Sequence, residues 1–235
     1  MRYFLKLGTV AELSLGNELL GKAWALVLDI ASNRDDATRA AAAMFMERCR
    51  HTPDSKPVFI QIPALPDPSS ADILSHVMQW RPHGILLPEA KSGMDVQHLA
   101  ARLAVEEARK GSADGITRIM AMTGQAGGSL FGMGSFAGCS HRLSGLVWSP
   151  DALIERLKAN TFGESIPSAP FVDAVRLGRT LTLIAAADAG VPAIDATPCG
   201  PSGETHLNSA YEQACRDGFA GCLTNDPAIT TSLSA

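Results

Sequence analysis

Eight short apolar runs recur along the chain, each closed by a polar turn and most followed by a longer segment of helical period. They are Arg2–Leu7, Ala25–Ile30, Val58–Ile62, Gly84–Pro88, Arg118–Thr123, Gly145–Ser149, Ala193–Thr197 and Gly221–Asn225. Their hydrophobicity is continuous rather than alternating, which predicts strands covered on both faces, as in a parallel sheet. Parallel neighbours cannot be joined by a tight hairpin and need a crossover, normally a helix.

The intervening segments supply those helices. Asn33 precedes a helical pattern over 35–50, Ser69 and Ser70 precede one over 71–80, and Ser92 precedes one over 94–109. Ser149-Pro150-Asp151 reads as an N-cap with proline at the first helical position, opening a helix over 151–159. Pro170 opens the next helix, and Gly190 follows its end. Eight β/α units predict a single (β/α)8 TIM barrel over residues 1–235, slightly below the roughly 250 residues usual for that fold. An open doubly wound sheet is the alternative. After Asp226-Pro227 the remaining segment, 228–235, is too short for a full covering helix, so the barrel is expected to be C-terminally shortened. An uncovered apolar strand invites a partner, which predicts a homo-oligomer.

Composition excludes several classes. With 46% apolar and 19% charged residues, long-range disorder is excluded. Twenty basic residues against 24 acidic ones give a net charge of −4 and no basic stripe, so no nucleic-acid partner is expected. Cys49, Cys139, Cys199, Cys215 and Cys222 form an odd, scattered set without a CxxC pair, which fits a reducing cytoplasm and suggests no zinc cluster. The apolar residues at the N-terminus are interrupted by Lys6, Gly8 and Glu12, and no run reaches the roughly 18 apolar residues of a membrane helix. A cytoplasmic protein without a membrane partner is expected.

In such a barrel, functional residues sit at the C-terminal ends of the strands. Those positions hold Asp29, Asn33, Gln61, Glu89, Lys91, Gln125, Asp151, Asp195, Thr197, Asn225 and Asp226. Several have a purely structural account: Asn33 as a cap, Asp151 as a first-turn acid favoured by the helix dipole, Asp226 as a turn former. Asp29 and Glu89 each end an apolar strand and are less easily explained that way. The candidate catalytic set is Asp29, Gln61, Glu89 and Gln125, with Asp151, Asp195 and Thr197 as candidate ligand-binding residues. The glycines from Gly124 to Gly138 read either as a phosphate cradle or as an irregular crossover, the second being favoured because no GxGxxG or P-loop spacing fits. The six histidines show no HxH or HExxH spacing, and Cys139-Ser140-His141 falls at the wrong end of the barrel for a nucleophile.

The strand ends also carry a resemblance. LVLDIAS, GILLPEAKSGMDV, HRLSGLVWSPDAL, AGVPAIDATP and DGFAGCLTNDPAI, in this order and spacing, resemble segments of the citrate lyase β-subunit/HpcH/HpaI aldolase family. The resemblance runs through nearly the whole chain. It implies a (β/α)8 barrel that makes or breaks carbon–carbon bonds with Mg2+, on small acids or their CoA thioesters. The family's two metal acids align with Gly124 and Ala152, its third-strand arginine with Gln61, its LDLED acids with Ala31 and Ser32, and its C-terminal lysine and histidine with Cys222 and Asp226. Glycine and alanine side chains offer Mg2+ no oxygen. The resemblance therefore implies a divergent member that has lost the standard metal chemistry. Two alternatives remain open: an active lyase with a rebuilt site, to which Mg2+ would return, with Asp29 and Asp195 as ligands, and a non-catalytic interaction subunit.

Overall fold

The computed structural model describes residues 2–14, 23–32, 35–52, 55–160, 171–196 and 211–225. All eight apolar runs are strands: β1 (Arg2–Leu7), β2 (Ala25–Asp29), β3 (Val58–Gln61), β4 (Gly84–Leu87), β5 (Arg118–Thr123), β6 (Leu143–Trp148), β7 (Ala193–Asp195) and β8 (Gly221–Thr224). They pair in parallel in sequence order, and β8 returns to β1, closing a barrel. This is the (β/α)8 architecture, and the doubly wound alternative is excluded by the closure. β6 starts earlier than its apolar run because Leu143 pairs with Ile119 before the register shifts to Met120 and Gly145. The expected shortening of the C-terminus concerns residues 226–235, which lie outside the described residues.

The helices start close to where caps predict them, with two corrections. The helix Asp36–His51 is capped by Asp35, whose carboxylate accepts the Thr38 N–H at 2.8 Å; Asn33 lies outside the described residues. The helix Asp151–Ala159 has Pro150, not Ser149, at its cap position. Ser149 is held back by the sheet, its N–H donating to Thr123 O at 3.1 Å, so the cap falls on the proline while the helix keeps its expected bounds. The helix Gly93–Arg109 packs on β5, and Val172–Asp188 packs on β6 and β7. In that last contact a Cβ on Gly178 would lie 2.4 Å from the Trp148 ring, so only glycine lets the helix come this close. The segment after β5 is not an α-helix but two 3-10 turns, Gly127–Phe131 and Met133–Phe136. That is the irregular crossover its glycines predicted.

Strand alternation splits the buried residues into two groups. Outward-facing side chains such as Leu5, Leu28, Ile60, Ile85, Ala121 and Trp148 pack under the helices. Inward-facing ones fill the barrel in layers: Phe4, Phe59, Met120 and Ile194 from the odd strands, then Val27, Leu86, Val147 and Leu223 from the even strands. Beside the N-terminal ends of β5 and β6, Arg142 and Glu107 form a buried ion pair, 2% and 1% exposed. Arg142 donates to both carboxylate oxygens, at 2.9 and 2.7 Å, and the N–H groups of Gly115 and Thr117 donate to the same oxygens at 2.9 and 2.8 Å. Burial works to raise the Glu107 carboxyl, but these hydrogen bonds outweigh it and hold it at about 2.

Candidate functional site

Above the second layer the inward positions of β1, β2 and β3 turn polar, while Met122 on β5 stays apolar. Lys6, two residues beyond Phe4, and Asp29, two beyond Val27, share the inner face and meet: Lys6 Nζ lies 2.6 Å from Asp29 Oδ2. Asp29 is 3% exposed, and an uncompensated carboxylate at that depth would be costly. Its charge is matched by Lys6, and its oxygens accept the Ala31 N–H at 3.1 Å, the Ser32 N–H at 3.0 Å and the Ser32 hydroxyl at 2.7 Å. Lys6 is less buried, with 29% of its side chain exposed. One face of the ammonium is held by the acid while the rest faces the mouth.

Gln61 stands beside Asp29 in register, buried, and its Oε1 has no hydrogen-bond partner among the described residues. A buried carbonyl without a donor costs roughly 1–3 kcal/mol, which a bound N–H or O–H would recover. Asp151, at the start of its helix, completes the acidic side of the mouth. Crowding at the rim raises its carboxyl above the usual range, Glu155 pushes the same way, and the charge of Lys6 opposes both.

Glu89 and Gln125 do not join this group directly. Glu89 sits just beyond β4 in a left-handed conformation (φ 51°), and its N–H donates to Gln125 Oε1 at 2.8 Å. The Gln125 side chain thereby ties the loop after β5 to the loop after β4. The Glu89 carboxylate is on the rim, 3.9 Å from Arg156. Asp195 is placed differently from the expectation of a ligand-binding residue. It pairs in register with the outward-facing Trp148, and its Oδ2 accepts Arg179 Nε at 2.9 Å and Nη2 at 2.7 Å. Arg179 also bonds Asp217 and lies 4.4 Å over the Phe219 ring. Asp195 thus links β7 to the helix Val172–Asp188, while the residue before it, Ile194, takes the inward position. Thr197 lies outside the described residues.

The residue that sequence reasoning passed over is Lys6. It interrupts the apolar stretch of β1, and the period of two from Phe4 places it on the inner face. Among the described residues, no three His, Cys, Asp or Glu side chains gather closely enough to hold a metal ion. Also among them, no helix is long and apolar enough to cross a membrane.

No protein-family model matches the chain, and no curated protein matches it in sequence. Solved structures do match. RipC from Yersinia pestis shares 18% identity over 98% of this chain and 92% of its own, with a TM-score of 0.71. A citrate lyase β-subunit from M. tuberculosis, in complex with oxaloacetate and magnesium, shares 19% over 97% and 93%, with a TM-score of 0.74. A Haloferax volcanii malate synthase in a magnesium/glyoxylate complex shares 14% over 97% of this chain and 73% of its own, with a TM-score of 0.77. At these identities the likeness concerns architecture, and the chain has the barrel fold of citrate lyase β-subunits and malate synthases.

Proposed function

We propose that the C-terminal mouth binds a small carboxylic or oxo acid, free or as a CoA thioester, and that Lys6 is its cationic partner. The chain would then be a lyase- or aldolase-type barrel without the standard magnesium centre. The observation that carries this reading is the Lys6–Asp29 pair on the inner face, with the ammonium still open toward the mouth. The solved neighbours with oxaloacetate or glyoxylate hold magnesium in the same complexes. Here the residues do not fit that ion. By the resemblance, Gly124 and Ala152 stand where two metal acids would be, and the carboxylate of Asp29 is already occupied by Lys6.

The chemistry follows from the groups present. The Lys6 ammonium has three N–H donors; one serves Asp29 and the others are available to a ligand carboxylate or to the oxyanion that develops when a carbon–carbon bond beside a carbonyl breaks. The oxygen of Gln61 accepts a hydroxyl or amide N–H of the ligand. Asp151, holding its proton more tightly than an ordinary carboxyl, is suited to exchange it with the leaving carbon or oxygen. Calorimetric titration with oxaloacetate, pyruvate, acetoacetate and glyoxylate tests this. Binding is expected without Mg2+, weakened about tenfold or more in Lys6→Met. Affinity that appears only with Mg2+, or a tight single Mg2+ site, would overturn it. Turnover of hydroxyacyl-CoA or 2-oxo-hydroxy acids by the same protein decides whether the site is catalytic or only binds.

The homo-oligomer belongs to the same proposal. Phe131 is 94% exposed, and Leu177 and Ile184, two turns apart on one helix, are also exposed, a pattern suited to contact with a second copy. A monodisperse monomer in light scattering would remove it.

A further inference from the structure

The opposite end of the barrel carries a second, independent site. Below Phe4, Phe59, Met120 and Ile194, the next inward layer consists of Ala25, Gly84, Gly145 and Gly221, of which only Ala25 has a side-chain carbon. The glycines are required: a Cβ on Gly84 would come within 2.4 Å of the Phe59 ring and one on Gly221 within 2.9 Å of the Phe4 ring. At this end, lined by Phe4, Phe59, Met120 and Ile194, the barrel opens into a hollow of about 360 Å3. That lies at the lower end of the range of small-molecule sites.

The hollow has an apolar ceiling and a cationic rim. Arg2 opens β1 and Arg118 opens β5, four strands apart in a ring of eight and therefore across the barrel from one another. Between them on the Arg118 side lies His83, whose Nδ1 accepts the Val58 N–H at 3.1 Å and whose other nitrogen therefore carries a proton to donate. Among the described residues, no aspartate or glutamate lines the hollow. Arg2 is stacked 4.4 Å over Trp24, and among the described residues neither Arg2 nor Arg118 has a carboxylate partner. Guanidinium groups over an apolar floor, with no acid to satisfy them, are complementary to an organic anion.

We propose that this N-terminal hollow binds a small monocarboxylate with an apolar body, its carboxylate on Arg118 and its ring or chain against Phe4, Phe59 and Met120. Two packed layers separate it from the mouth, so its ligand is distinct from the one Lys6 meets. Benzoate is the probe, with benzamide as its neutral counterpart, and the readout is the methyl resonance of Met120 in methionine-labelled protein. The exposed Met44 and Met94 serve as internal controls. The expected result is a saturable shift of Met120 with benzoate, absent with benzamide, and weakened about tenfold or more in Arg118→Gln. No saturable shift at millimolar benzoate, an equal response to benzamide, or unchanged affinity in Arg118→Gln would overturn the proposal. Should the variant fail to fold, the comparison of benzoate with benzamide on the wild-type chain decides alone.

Discussion

Replacing Arg142 by methionine keeps much of the side chain's volume but leaves the buried Glu107 without its guanidinium. The carboxylate would retain the N–H groups of Gly115 and Thr117 and the Thr117 side chain. Breaking such a pair from one side costs about 3–5 kcal/mol. The Glu107 carboxyl is held at about 2 by Arg142 together with the Thr117 and Gly115 hydrogen bonds, so removing the guanidinium lets it rise. For a chain of this size a loss of about 3–5 kcal/mol corresponds to a melting temperature lower by roughly 10 °C. The pH dependence has a definite sign. A carboxyl held low in the folded state stabilises fully above its unfolded value near 4.5, and that contribution is lost as pH falls toward 2. Urea unfolding followed by circular dichroism at pH 7 and pH 3 should therefore show a large gap between wild type and variant at neutral pH and a narrower one in acid. A variant within about 1 kcal/mol of wild type at pH 7, or a gap that is just as wide at pH 3, would refute the reasoning.

Gly178→Ala should destabilise by about 1–3 kcal/mol in thermal melts, although alanine is the better helix former, because its methyl collides with Trp148. A neutral or stabilising result would mean that the indole can move aside. Asp195→Asn should cost ~1–2 kcal/mol in denaturant titrations by weakening the hold on Arg179, while acid binding at the mouth stays unchanged. A loss of ligand affinity would place Asp195 in the site after all.

The barrel could be read from the sequence because burial on both faces leaves a plain mark, an unbroken apolar run of strand length, repeated at the spacing of a crossover helix. Inward and outward positions were harder. Asp29 and Asp195 look alike as acids at strand ends, yet one faces the mouth and the other Arg179, and the difference is a single step of strand parity. Parity can be assigned once one inward residue on a strand is known, so Lys6 was within reach from Phe4. The partnership of Arg142 with Glu107 was not. The two are joined only by the packing of a helix end against two strands, and no local spacing encodes it. The anchoring of Glu89 by Gln125 is likewise a contact between two loops.

Ring closure also sets a timetable for synthesis. β1 leaves the ribosome before the other seven strands of the barrel, but the Arg2 N–H donates to Ala220, and β1 has β8 as one of its two neighbours. Until residues near 221 emerge, one edge of the nascent sheet stays open, with its backbone groups free to pair with another chain. Long-range closure of this kind also slows folding. Chains halted before β8 should consequently be protease-sensitive and chaperone-bound even though most of their β/α units are complete. Stability would arrive only when β8 locks β1.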